Sequence, residues 1–145
     1  MRKYGLLIAA VIALGVGAER FAPLLDTPPS TQAAQSDSAI SDAFRAKAEN
    51  LPVRGQGKVS AVLRDDTRGS QHQRFILRLA DGHTVLVAHN IDLAPRIPQL
   101  QRGDIVRFKG VYEWNPEGGV VHWTHHDPAG RHAGGWLRHN GQVYE

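Results

Sequence analysis

The sequence predicts one small all-β domain, from about Val53 to Glu145, behind an N-terminal extension. Apolar residues alternate with polar ones in short runs, the period of a half-buried strand. Turn residues separate the runs, above all Asp81-Gly82 and Asn140-Gly141, both strong two-residue hairpin signals. The 15 Gly and 8 Pro in 145 residues favour turns over long helices.

Met1-Arg2-Lys3 is a short basic start, followed by an uncharged stretch from Tyr4 to Ala18 that ends in small residues. Val16-Gly17-Ala18 fits signal-peptidase cleavage before Glu19. Such a stretch rises roughly 22 Å as a helix, short of the ~30 Å hydrocarbon core. Phe21 to Leu25 prolongs the apolar character, so residues 1–25 are read as either a signal peptide or a retained membrane anchor. Both readings export the domain, to the periplasm or to the periplasmic face of the inner membrane. Residues 26–52 lack large apolar side chains at first and read as a flexible linker, with room for a short helix from Asp42 to Asn50 that Pro52 ends.

The strands follow in order. Gly57 to Arg64 alternates, with Val59, Ala61 and Leu63 on one face. His72 to Ala80 places Phe75, Leu77 and Leu79 inward, and His83 to His89 returns with Val85, Leu86 and Val87. A two-residue turn at Asp81-Gly82 sets Leu77 opposite Leu86, Ile76 opposite Val87 and Arg74 opposite His89. Asn90 to Leu100 contains two prolines and has room for one short helical turn. Asp104 to Trp114 is a long strand with Gly110 at mid-length, a position that often marks a bend. Val120 to His126 is the fifth strand, with Trp123 laid across Gly110, and a last hairpin pairs Trp136–His139 with Gln142–Glu145. Five strands with an insert between the third and fourth suit a partly open OB-like barrel; a small β-sandwich is the competing fold.

Composition narrows the function classes. There is no cysteine, which excludes disulfides, thiolate metal sites, a catalytic thiol and a lipidated cysteine. The net charge of +3 is spread without a basic run, which argues against nucleic acid as a partner. No Gly-rich phosphate loop, Gly-x-Ser-x-Gly elbow or His-Glu-x-x-His occurs.

The words HQRFI and LADGHTVLVAHNIDLAPR, then YEWN, HWTHHDP and GWL, are similar to an uncharacterised bacterial family, domain of unknown function 3465. The resemblance covers Val53 to Tyr144. It implies a short exported protein with one such domain and no established activity, and it transfers no catalytic residue.

Histidine is the unusual residue, eight in all with five between His122 and His139. His122, His125, His126, Asp127 and His132 are the candidate metal set, since imidazole and carboxylate suit a divalent transition metal. On a straight strand His122 and His126 share a face but stand about 13 Å apart, so a site there needs a bend near His126. The alternative is a set of rim histidines hydrogen-bonded to backbone. Arg74 and His89, with Trp123, are the candidate ligand-binding residues, Arg74 offering a fork for an anionic group. Asp65, Asp66 and Glu113 form a weaker carboxylate group for a divalent cation or acid–base work. Tyr112, Trp114, Trp123 and Trp136 are either a stacking platform or core, with at least two assigned to core.

The leading expectation is a binding module that engages a metal ion, a small ligand or an envelope component through its His/aromatic last strand and loop. A metal-dependent hydrolase of phosphodiester or cell-envelope substrates is the rival, with Arg74 stabilising charge. A membrane-tethered interaction module, held through the N-terminal segment, is the third reading.

Overall fold

A computed structural model describes residues 29–145. The expected signal or anchor at residues 1–25 lies outside the described residues, among which no helix is long and apolar enough to cross a membrane. One helix precedes seven strands: α1 (Pro29–Arg45), β1 (Leu51–Val62), β2 (His72–Arg78), β3 (Thr84–Asn90), β4 (Ile105–Glu113), β5 (Val120–His122), β6 (Trp136–His139) and β7 (Gln142–Tyr144). They form one sheet in the order β1-β2-β3-β5-β4-β6-β7, and a further β1–β4 ladder closes the first five into a barrel. β3 and β5 run parallel.

The domain is all-β as expected, but the barrel is closed rather than partly open. The cause is the length of β1, which begins at Leu51, upstream of the strand read from Gly57. Residues Leu51 to Lys58 pair with β4, and Lys58 to Val62 pair with β2, so one strand turns the corner between two neighbours. Gly55 and Gly57 allow the close approach: a Cβ at Gly55 would sit 2.6 Å from the Phe108 ring, and one at Gly57 2.9 Å from Leu77 Cβ. Pro52, which hides this strand in the sequence, lies where β1 has a ladder on one side only.

Each end of the barrel is plugged differently. At one end α1 buries Ile40 and Ala43, with Phe44 packed against the His83 and Trp114 rings. The spacing of Ile40, Ala43 and Phe44 is that of one helical face. This helix occupies much of the segment expected to be a spacer; it begins upstream of the short helix expected from Asp42 to Asn50 and overlaps it only from Asp42 to Arg45. Its stop is a Schellman motif: Ala48 N donates to Ala43 O (2.9 Å) and Lys47 N to Phe44 O (3.1 Å), with Lys47 at φ 52°. Without a glycine at that position the sequence marks no stop at Arg45, and the stop expected at Pro52 falls too late.

At the other end, residues 91–104 form turns, the first of them a single helix-type turn in which Ala94 N donates to Asn90 O (3.1 Å). They insert Ile97, which Gln73 clamps through two bonds of 2.9 Å: its Nε2 donates to Ile97 O and its Oε1 accepts from Ile97 N.

The β2–β3 register corrects the expectation by one residue. Phe75 stands opposite Val87, Leu77 opposite Val85, and Gln73, not Arg74, opposite His89. Leu79 N donates to His83 O and Gly82 N to Leu79 O, so the loop is three residues long, with Gly82 at φ 87°. That is the three-residue hairpin with a left-handed glycine rather than a type I′ turn. The C-terminal hairpin does follow expectation: His139 faces Gln142, with Asn140 at φ 48° and Gly141 at φ 78°. Of the aromatics, Tyr112 is core and Trp114 packs against it, whereas Trp123 and Trp136 lie on the surface side.

Candidate functional site in the loop between β5 and β6

β4 shares one edge between two short strands. β5 pairs with Val111 to Glu113, β6 pairs with Val106 to Lys109, and the chain between them leaves the ladder at Trp123 and returns at Gly135. The expected strand to His126 therefore stops at His122. The departure is sharp, because Trp123 adopts φ 54°, a left-handed conformation that a bulky side chain rarely takes. The register does extrapolate to Trp123 across Gly110, as expected. What fills the glycine's space there is backbone: a Cβ on Gly110 would run into His122 O, and one on Gly135 into Trp123 O. Gly135 N donates to His125 O at 2.9 Å and closes the neck.

Within the excursion each histidine has a separate fate. Buried His125 pairs through Nδ1 with His126 O (2.7 Å), while His126 is exposed. His132 stacks on Trp123 with ring centroids 4.2 Å apart, and His125 lies 5.4 Å from the same ring. His122 stays on the barrel wall, its Nε2 buried without a hydrogen-bond partner and 3.7 Å from Glu113 Oε1. Burial pushes the His122 imidazole below its usual range, outweighing the upward pull of Glu113.

Asp127 organises the loop. Its Oδ1 accepts from Ala129 N (2.9 Å), and its Oδ2 from Arg131 N (2.7 Å) and His132 N (2.8 Å). Burial alone would raise this carboxyl; the three N–H donors outweigh it and hold it below the usual carboxylate range. The expected metal set is therefore not assembled: among the described residues no three His, Asp or Glu side chains form a group able to hold a metal ion. The bend at Trp123, three residues earlier than the one a site required, sends the imidazoles to different neighbours.

The Arg74–His89 pair is likewise dissolved by the register. Arg74 points outward and donates from Nε to Arg64 O at 3.0 Å. His89 is fully buried beneath the loop neck, where Nε2 bonds Pro95 O (3.0 Å) and Nδ1 bonds Thr124 Oγ1 (2.8 Å). A carbonyl only accepts, so Nε2 carries the proton and Nδ1 accepts from the threonine hydroxyl. Burial lowers the His89 pKa to about 4, so the ring is neutral and structural. The carboxylates Asp65 and Asp66 do not meet Glu113: Asp65 pairs with Arg96 beyond the end of β1, and Glu113 lies in β4 beside its start.

The sequence reading missed a groove. The loop folds over the outer face of β1 and β4 and leaves a cavity of about 450 Å³, walled by Arg54, Lys109, Val111, Arg131, His132 and Gly134. Three permanent cations and an imidazole line it, and no carboxylate does. Such a wall suits a small anion, with two guanidinium forks and an ammonium as donors. His132 belongs both to this wall and to the Trp123 stack, which joins the strained residue to the groove. Only the loop fold brings Arg131 to the groove that Arg54 lines, so neither residue marks the site in sequence.

The family model described as "Protein of unknown function (DUF3465)" matches residues 24–145. The chain belongs to the DUF3465 family. The matched span begins upstream of Val53, so in this DUF3465 protein α1 falls inside the family's region together with the barrel and the loop. A search of curated proteins finds no match.

Proposed function

We propose that this chain is an exported OB-type binding module that holds a small anionic group in the groove between the β1–β4 face and the loop. The observation that carries the reading is the groove wall, whose lining includes Arg54, Lys109, Arg131 and His132 and no carboxylate. Three features support it. The barrel order β1-β2-β3-β5-β4, closed by β1 against β4, is the order of an OB barrel. The left-handed Trp123 is strain of the kind that collects at ligand sites. The basic start, apolar stretch and small residues before Glu19 support export.

Inorganic phosphate is the probe. Titrated into the full chain, it is expected to shift the His132 imidazole resonances and to change tryptophan emission through the Trp123 stack. Lys109→Ala and Arg131→Ala should each weaken the response about tenfold, the loss of one charge-assisted bond. Absence of any shift at His132 up to tens of millimolar phosphate refutes the reading.

A further inference from the structure

The outer face of the sheet formed by β2, β1, β4, β6 and β7 extends well beyond the groove, with which it shares Arg54 and Lys109. Three cross-strand rows run over it. The first is Arg78–Lys58–Ile105, the second Gln56–Arg107–Arg138–Val143, and the third Arg54–Lys109–Trp136. Opposed residues share a face, so six cations point outward together. Among the described residues none of the six has an acidic partner within ion-pair distance. Arg107 bonds Gln56 Oε1 instead (2.7 Å), and the Arg138 guanidinium lies 5.4 Å from the centre of the Trp136 ring. Two aliphatic side chains stand out between the cations: Ile105 is 47% exposed and Val143 38%.

We propose that this face docks on an anionic phospholipid membrane. Charge complementarity calls for a polyanion, and the rest of the face selects which. Cations interleaved with exposed aliphatic residues and an indole match a headgroup layer, where charge meets phosphate and apolar groups enter the acyl boundary. Ile105 and Val143 offer nothing to a nucleic-acid strand, and Trp136, the one aromatic of the three rows, is partnered by Arg138. The rows also make a broad patch, four strands across at about 4.8 Å each, rather than a groove that tracks a single polymer. Arg54 and Lys109 serve both the groove and this face; Lys58, Arg78, Arg107 and Arg138 belong to the face alone.

The test uses the full chain with vesicles of phosphatidylcholine, with or without phosphatidylglycerol, bearing brominated acyl chains. Bromine quenching of tryptophan reads the face itself, independently of attachment through residues 1–25. Quenching is expected on anionic vesicles, little on neutral ones, and it should fall with added salt. Trp136→Phe should remove most of it. Each neutralised cation lowers the partition roughly fivefold, so Lys58→Gln, Arg107→Gln and Arg138→Gln together lower it about 100-fold, with an unchanged urea midpoint as the folding check. Arg131→Ala should leave quenching intact, which separates this docking from the phosphate site. Equal quenching on both vesicle types, or no loss in the triple variant, overturns the proposal. So does displacement of the protein from anionic vesicles by an equal charge of single-stranded DNA, which reassigns the face to a nucleic acid.

Discussion

Lowering the pH should unlatch the loop neck through His89. In the folded chain this ring is fully buried and its pKa is lowered to about 4, with burial as the main cause. The unfolded chain titrates it near 6.5. Between those values the unfolded state binds a proton that the folded state refuses, so stability falls as pH falls through this window. The full shift corresponds to about 3 kcal/mol, of which about 2 kcal/mol is lost by pH 5. Below pH 4 this group adds only roughly a few tenths of a kcal/mol to the loss. His122, also lowered by burial, acts in the same direction. Asp127 and Asp104, held low by backbone N–H donors, act only below the usual carboxylate range.

Urea unfolding at pH 7, 6, 5 and 4 measures this directly. His89→Gln keeps a polar side chain under Thr124 and removes the titration. Its absolute stability is lower, but most of the slope between pH 6.5 and pH 4 should vanish. A wild-type protein equally stable at pH 7 and pH 4.5 refutes the reasoning. So does a His89→Gln variant that retains the full slope.

Other outcomes follow from the packing. Asp127→Ala leaves three backbone N–H groups without an acceptor, and amide exchange at Ala129, Arg131 and His132 should accelerate while the barrel amides stay protected. Gly110→Ala drives a methyl against His122 O and to 2.9 Å from Val121 Cγ1; it should cost more than about 3 kcal/mol in urea unfolding, whereas Gly69→Ala, in open space at φ 70°, should cost only about 1 kcal/mol. Ile40→Ala empties a fully buried site under α1 and should lower stability by about 2–4 kcal/mol by the same assay.

The one-residue error in the β2–β3 hairpin shows where sequence information resides. Phe75, Leu77, Leu79, Val85 and Val87 are all buried. All five carry odd numbers, and opposed residues in an antiparallel ladder share a face, so the numbers of each pair in this hairpin must sum to an even value. A two-residue loop at Asp81-Gly82 makes that sum odd; the three-residue loop makes it even. The alternation thus contains the register, and the Asp81-Gly82 dipeptide taken alone points one residue away from it. At Asn140-Gly141 the same kind of dipeptide does form the two-residue turn, because both central residues take positive φ. The loop site was less legible. Gly110 and Gly135 each stand out as small, yet nothing local says that they close one neck, and no pattern announces a tryptophan at positive φ.

Charge was illegible for a related reason. A search for runs finds none, because strand cations occupy every second or fourth position and the rows form only across strands. The carboxylates are placed by a different demand. Asp66, Asp81, Asp92, Asp104 and Asp127 all accept backbone N–H bonds in turns and loops, the work that short carboxylate side chains do best. Glu113 is the one acid within the strands, where Arg54, Lys58, Arg74, Arg78, Arg107, Lys109 and Arg138 all lie. Turn chemistry therefore draws negative charge away from the sheet faces and leaves positive charge uncompensated on one of them. A net charge of +3 understates the field that a flat anionic surface would meet there, and the salt dependence of docking should follow the local count of six cations rather than the global sum.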